Sequence, residues 1–133
     1  MKWLKIWLGV LSITMATDAL ATTWQKFPSD FADEKGLYID TDSITQDTAD
    51  ERSFLLKRTY HQPQPFDATR QYVAQFVQVR VNCQNQTFIS MATAFYDAQF
   101  SQLAYIAHDK PVWQNAKSHS GVAKRLDFVC QYQ

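Results

Sequence analysis

Cys83 and Cys130 are the only thiols in the sequence, and His61, His108 and His119 its only imidazoles. A zinc site or a redox pair needs cysteines at close intervals, and these two stand far apart. A cysteine nucleophile needs an unpaired thiolate beside a base, which a disulfide would foreclose. His108 and Asp109 are adjacent, but neighbours on a strand point to opposite faces and form no dyad by adjacency. Asp40, Asp42, Asp47, Asp50 and Glu51 raise the question of calcium. Their spacing lacks the turn glycine and closing glutamate of a calcium loop. The plainer reading is a strand ended by Asp40, with Asp42 and Ser43 bonding back to the local backbone in a turn. No phosphate-cradling glycine loop or serine elbow occurs. The expectation is a non-enzyme with no catalytic residue, no metal and no cofactor.

The thiols make better sense as one disulfide in an exported protein. Met1 to Lys5 form a short cationic start, and residues 6–15 are mostly apolar. Ala19-Leu20-Ala21 then places small residues where a signal peptidase reads, so cleavage between Ala21 and Thr22 is expected. The apolar run is about half the roughly 20 residues that a membrane-spanning helix needs, and Asp18 interrupts its end. No cysteine lies near the cleavage point to carry a lipid. Residues 1–21 therefore read as a cleaved leader and residues 22–133 as one domain, periplasmic or secreted, with no membrane span. In that compartment the Cys83–Cys130 disulfide would join a β-hairpin to the C-terminal segment.

Thirteen basic and 13 acidic residues balance over the 133-residue chain, and removing the leader leaves the net charge near zero. Nothing here favours nucleic acid. Lys57-Arg58, Arg80 and Lys124-Arg125 could form a shallow cationic patch, but acidic residues lie close to each, as on an ordinary solvated face. Trp113, Tyr60 and Tyr105 are possible contact anchors, since aromatics dominate binding hot spots, although packing is their commoner use.

The elements follow a period of two. Over residues 72–83, Val73, Val77, Val79, Val81 and Cys83 share one face, and Tyr72, Phe76, Gln78, Arg80 and Asn82 the other. Residues 83–86 suit a hairpin turn with Asn85 at positive φ, followed by a return strand over 87–96. A turn at Asp97-Ala98 leads to a third strand over 100–107. Residues 24–27, 37–40 and 52–60 also read as strands, with connections at 31–36 and 47–51. Two prolines make 61–66 a loop. The last segment is ambiguous. Val122, Leu126, Val129 and Cys130 share a helical face, with Ser118 or Ser120 as cap and Lys124 and Arg125 toward solvent. Yet Leu126, Phe128, Cys130 and Tyr132 alternate as on a strand.

The order of Trp24, Leu37-Tyr38-Ile39-Asp40 and Ser43-Ile44 resembles the opening of the surface-adhesin protein E-like domain of Gram-negative bacteria. Asn82-Cys83, Pro111-Val112-Trp113 and Phe128-Val129-Cys130 are similar to its later landmarks. The resemblance implies an α+β fold, a single curved antiparallel sheet of about six strands. It also implies a helix over 120–130, tied to the concave side by Cys83 and Cys130. It further implies a binding protein for host matrix or plasma glycoproteins. The chain departs from that pattern in lacking the lipid-bearing N-terminal cysteine. The alternative is a periplasmic accessory domain that binds an envelope protein or small ligand.

Overall fold

The alternation over residues 72–83 builds a central strand of an antiparallel sheet. The computed structural model describes residues 23–133, so the expected leader and the Ala21–Thr22 cleavage point lie outside the described residues. The strands are β1 (Trp24–Phe27), β2 (Glu34–Gln46), β3 (Glu51–Pro65), β4 (Gln71–Asn82), β5 (Thr87–Tyr96), β6 (Gln102–Ala107) and β7 (Gln114–Asn115). They are followed by one helix, α1 (Gly121–Gln131). Strands β1 to β6 pair in sequence order, and the two-residue β7 pairs with β5. Every pairing is antiparallel, as tight turns between successive strands require.

One face of the sheet carries the core. Leu37, Ile39, Phe54, Leu56, Val77, Val79 and Val81 are buried there against Leu126 and Val129 of α1. Val77, Val79 and Val81 thus take the shared face expected for them, whereas Val73 lies outside this cluster, near Pro63 and Leu103. Tyr72 and Phe76, expected to share the other face, join separate ring clusters: Tyr72 meets Tyr60 and Phe95, whereas Phe76 meets Trp24 and Tyr96.

The C-terminal ambiguity resolves as helix. Ser120 caps it, its hydroxyl accepting from Ala123 N at 3.1 Å. At the other end the Arg52 guanidinium donates to the carbonyls of Val129, at 2.8 Å, and Tyr132, at 2.5 Å. Lys124 is exposed, but Arg125 is buried rather than pointing to solvent, because it enters an ionic cluster described below.

Four local expectations are corrected. Residues 61–65 are not loop: β3 runs through Pro63 to Pro65. Beyond Tyr60 the strand has lost its β2 partner, and its register with β4 shifts between Thr59 and Gln64. A bulge on a one-sided strand is where proline is tolerated. Asp40 does not end a strand either. Asp42 N donates to its carboxylate and the Ser43 hydroxyl to its carbonyl, but as a bulge inside β2. Gln86, not Asn85, takes the positive φ in the β4–β5 turn, while Phe100 at φ 63 belongs to the β5–β6 turn and β6 starts at Gln102.

Cys83 and Cys130 form a disulfide with Cα atoms 5.8 Å apart, linking the end of α1 to the β4–β5 turn. Closing a loop across 47 positions contributes about 4 kcal/mol in the chain-entropy model. Replacing Cys130 with serine should lower the melting temperature by well over ten degrees and release α1 first. An unchanged melting curve would show that the bridge carries no such weight.

Candidate functional site

The face opposite α1 is built from the residues that alternate with the core. Lys26, Tyr38, Lys57, Phe76, Ala94 and Tyr105 are successive cross-strand partners from β1 to β6. No helix among the described residues covers them. Instead the rings cover one another. Trp24 and Phe76 have centroids 6.0 Å apart, Phe76 and Tyr96 5.1 Å, and Tyr96 and Phe100 5.4 Å. The Lys57 ammonium lies 4.3 Å from the Trp24 ring centroid and 4.8 Å from that of Tyr38. Burial in this setting lowers its pKa below the usual lysine value. Gly36 permits the arrangement, because a side chain there would collide with the Tyr38 ring.

The β6 edge of the sheet is different on both faces. Phe100 is 65% exposed, Tyr105 57%, Ile106 46%, Val112 71% and Trp113 40%. These are five of the seven large apolar side chains exposed among the described residues. Chain geometry explains the exposure. Ala107 ends β6 opposite Ala92, and β7 begins opposite Phe88. Residues 108–113 therefore pass only three positions of β5 and must loop outward, carrying Val112 and Trp113 with them. In the β5–β6 turn the Asp97 carboxylate accepts from Gln99 N and Ser101 N, which holds Phe100 at the tip.

On the helix side, four charged groups converge. Arg125 donates to both carboxylate oxygens of Asp30, at 3.1 and 2.8 Å. Arg58 lies 2.7 Å from Glu34 and 3.8 Å from Asp30. A side chain at Gly121 would overlap the Asp30 carboxylate, so the glycine lets this anion approach the helix N-terminus, where the dipole favours it. Glu34 is 3% exposed and its Oε2 has no partner among the described residues. Burial raises its pKa, and the attraction of Arg58 only partly offsets that. Beside the cluster a cavity of about 60 Å³ lies between α1 and the sheet, lined by Val77, Val79, Phe88, Leu126 and the two arginines. That is room for a few water molecules.

These placements settle the sequence candidates. Lys57 and Arg80 are on one face and Arg58 and Arg125 on the other, so no common cationic patch forms. Arg80 lies 3.4 Å from Asp47. Tyr60 packs edge-on to Tyr72 and donates to Gln75 at 2.9 Å, whereas Tyr105 and Trp113 are exposed. His61 is on β3, His108 follows β6 and His119 precedes α1, each exposed. Among the described residues no group of three or more histidine, cysteine, aspartate or glutamate side chains could hold a metal. Nor is any helix there long and apolar enough to cross a membrane. Phe100, Ile106 and Val112 escaped the sequence reading. An uncharged strand beside a turn was the available signal.

The family model for surface-adhesin protein E matches residues 24–131. The chain belongs to that family. Two solved structures of similar shape are protein E from Haemophilus influenzae in its selenomethionine form, and protein E from a non-typeable strain. The first has a TM-score of 0.62 at 17% identity, over 85% of this chain and 95% of that one. The second has a TM-score of 0.57 at 18% identity, over 83% of this chain and 84% of that one. No curated protein sequence matches the chain. At such identities the shared property is the fold, and any contact surface must be read from this chain's own residues.

Two titrations test the buried groups. Above its ordinary value of 4.5, folded Glu34 holds its proton longer than the unfolded chain does, so its contribution to stability falls as pH rises through that window. The stability of the native chain relative to Glu34→Gln should therefore drop as pH rises above 4.5, measured by urea unfolding. A constant difference would refute the raised pKa. Burial pushes Tyr60 up to about 12. The folded state then binds the proton more tightly, so this term is intact below pH 10 and lost as pH rises through 12. One tyrosinate absorbance step should have its midpoint near 12 and vanish in Tyr60→Phe.

Proposed function

We propose that this chain is an exported, non-enzymatic binding module that attaches to host matrix or plasma glycoproteins. Residues 1–21 act as its leader, cleaved between Ala21 and Thr22. One observation carries the proposal: exposed apolar side chains gather on the β6 side of the sheet, from Phe100 to Trp113. Grouped exposed aromatics mark protein contact surfaces, and a few such anchors hold most of the binding energy. Membership of the surface-adhesin protein E family supports a partner of this class.

A second reading, a periplasmic accessory domain holding an envelope protein or small ligand, is favoured by the cysteines. Both are engaged in the disulfide, so neither carries a lipid. Protease treatment of intact cells separates the two. Digestion supports surface display, and release only by osmotic shock supports the periplasmic role.

Binding to immobilised matrix and plasma glycoproteins should weaken by about tenfold or more in the double variant Phe100→Asn, Trp113→Ser. Asparagine suits the positive φ of position 100, so the variant should fold, with a melting temperature a few degrees lower for the lost Tyr96–Phe100 ring contact. Full binding by that variant would remove this surface from the proposal.

A further inference from the structure

We propose that the open face of the sheet carries a binding hollow for an uncharged hexose unit of a glycan, a site that deepens the glycoprotein reading above and rests on it for the source of the sugar. Along the strands of this face the cover of rings gives out. The cross-strand pair Lys57 and Phe76 is followed by Leu55 and Gln78, and then by Ser53 and Arg80. A hollow of about 440 Å³ opens there, spanning β2 to β5. That lies within the roughly 300–1,000 Å³ of small-molecule sites. Two bulges shape it. On β2, residues 41–44 stand against Phe54 alone, and the Ser43 hydroxyl accepts from Leu55 N at 2.8 Å in place of a ladder partner. On β5, Met91 has no counterpart, since Ser90 pairs with Val79 and Ala92 with Gln78. Bulges bend strands and re-aim side chains, and they recur beside functional sites.

The side chains around the hollow select the ligand. Arg80 is ion-paired with Asp47 at 3.4 Å, and its buried Nε has no hydrogen-bond partner among the described residues. A guanidinium offers a planar fork of N–H donors, so most of this one's capacity is unspent. Asp47, beside it, accepts from the Ser53 hydroxyl. Gln78 brings an amide that both donates and accepts, and Thr45 a hydroxyl, both on exposed residues. Each hydroxyl of a sugar is likewise donor and acceptor, and neighbouring hydroxyls match a guanidinium, a carboxylate and an amide set side by side. Leu55 and Met91 supply an apolar wall for the C–H face of the ring.

Other ligands fit less well. Asp47 offsets the charge of Arg80, which removes the reason for an anion to settle there. No group of acidic or imidazole side chains among the described residues could hold a metal. Phe54 is the aromatic residue lining the hollow, and it is buried in the core of the other face, so a flat heterocycle finds no ring to stack on. Strands β3 and β4 are paired on both sides, so an extended peptide finds no free ladder there.

The test titrates the isotope-labelled exported chain with the methyl glycosides of glucose, galactose and mannose, and with glucuronic acid as the charged control. At least one glycoside should shift the Gln78 amide, Arg80 Nε–H and Met91 methyl signals saturably, and glucuronic acid should bind more weakly. Gln78→Met keeps the length of the side chain and removes its amide. Arg80→Lys keeps the charge beside Asp47 and removes the planar fork. Each should weaken glycoside binding about tenfold or more. If Arg80→Lys folds poorly, Gln78→Met decides alone, because position 78 is exposed and its melting temperature should hold. No saturable shift with any glycoside, shifts confined to other parts of the chain, or tighter binding of glucuronic acid would overturn the inference. If immobilised glycoproteins bind but no glycoside does, the hexose site fails while the binding function stands. If a glycoside binds at Gln78 yet no glycoprotein is held, the host-adhesion reading fails and the hexose site stands, with an envelope glycan as the source of the sugar.

Discussion

A single sheet with one short helix must keep that helix in place, and the rest of the structure depends on it. Leu126 and Val129 are the fully buried side chains of α1. Burying each contributes about 2 kcal/mol. Ordering the backbone costs about 1 kcal/mol or more for each of the helix's 11 residues. Two apolar side chains do not offset that, and so short a helix is marginal alone in water. It is therefore held at three points. The disulfide fixes Cys130, Arg52 binds the last carbonyls, and Asp30 takes Arg125 beside Gly121. The apolar face of β2, β3 and β4 stays dry because these anchors sit at both ends of α1.

The opposite face has to manage without a second layer, and it does so with rings. Trp24, Phe76 and Tyr96 lean together across the strands, and Ala74, Ala92 and Ala94 are buried among them. Lys57 contributes its stem and rests its charge on two aromatic faces, a contact that needs no carboxylate. This cover ends at β5. Beyond it Tyr105 on the same face, Ile106 on the other and Trp113 past the strand end stand exposed, which separates a covered surface from an uncovered edge within the same sheet.

Much of the frame was legible because period-two alternation is local. Val77, Val79, Val81 and Cys83 announce a face, and a thiol on that face needs a partner above it. The helix was not legible from residues 120–130 alone, since Leu126 and Cys130 satisfy both periods. Its choice depends on what lies across from it, as Leu126 and Val129 meeting Val81 and Leu56 demonstrate. Pro63 and Pro65 misled for a related reason: whether a proline breaks a strand depends on which neighbours that strand still has. Arg125 was placed in solvent because its partner, Asp30, is 95 positions away. The exposed apolar surface was half visible. Tyr105 and Trp113 were noted as anchors, but the edge position of β6 and the outward path of residues 108–113 are what expose them.

The same reasoning explains how a fold can persist at 17% identity to protein E. Alternation tolerates exchange of one apolar residue for another, and a disulfide needs only two positions to remain. Neither constraint reaches the outer side of β6, where a substitution changes no core contact. Residues there can follow the demands of a partner without cost to the scaffold. Protein E and this chain can thus share a fold while presenting different side chains along the outer edge of the sheet.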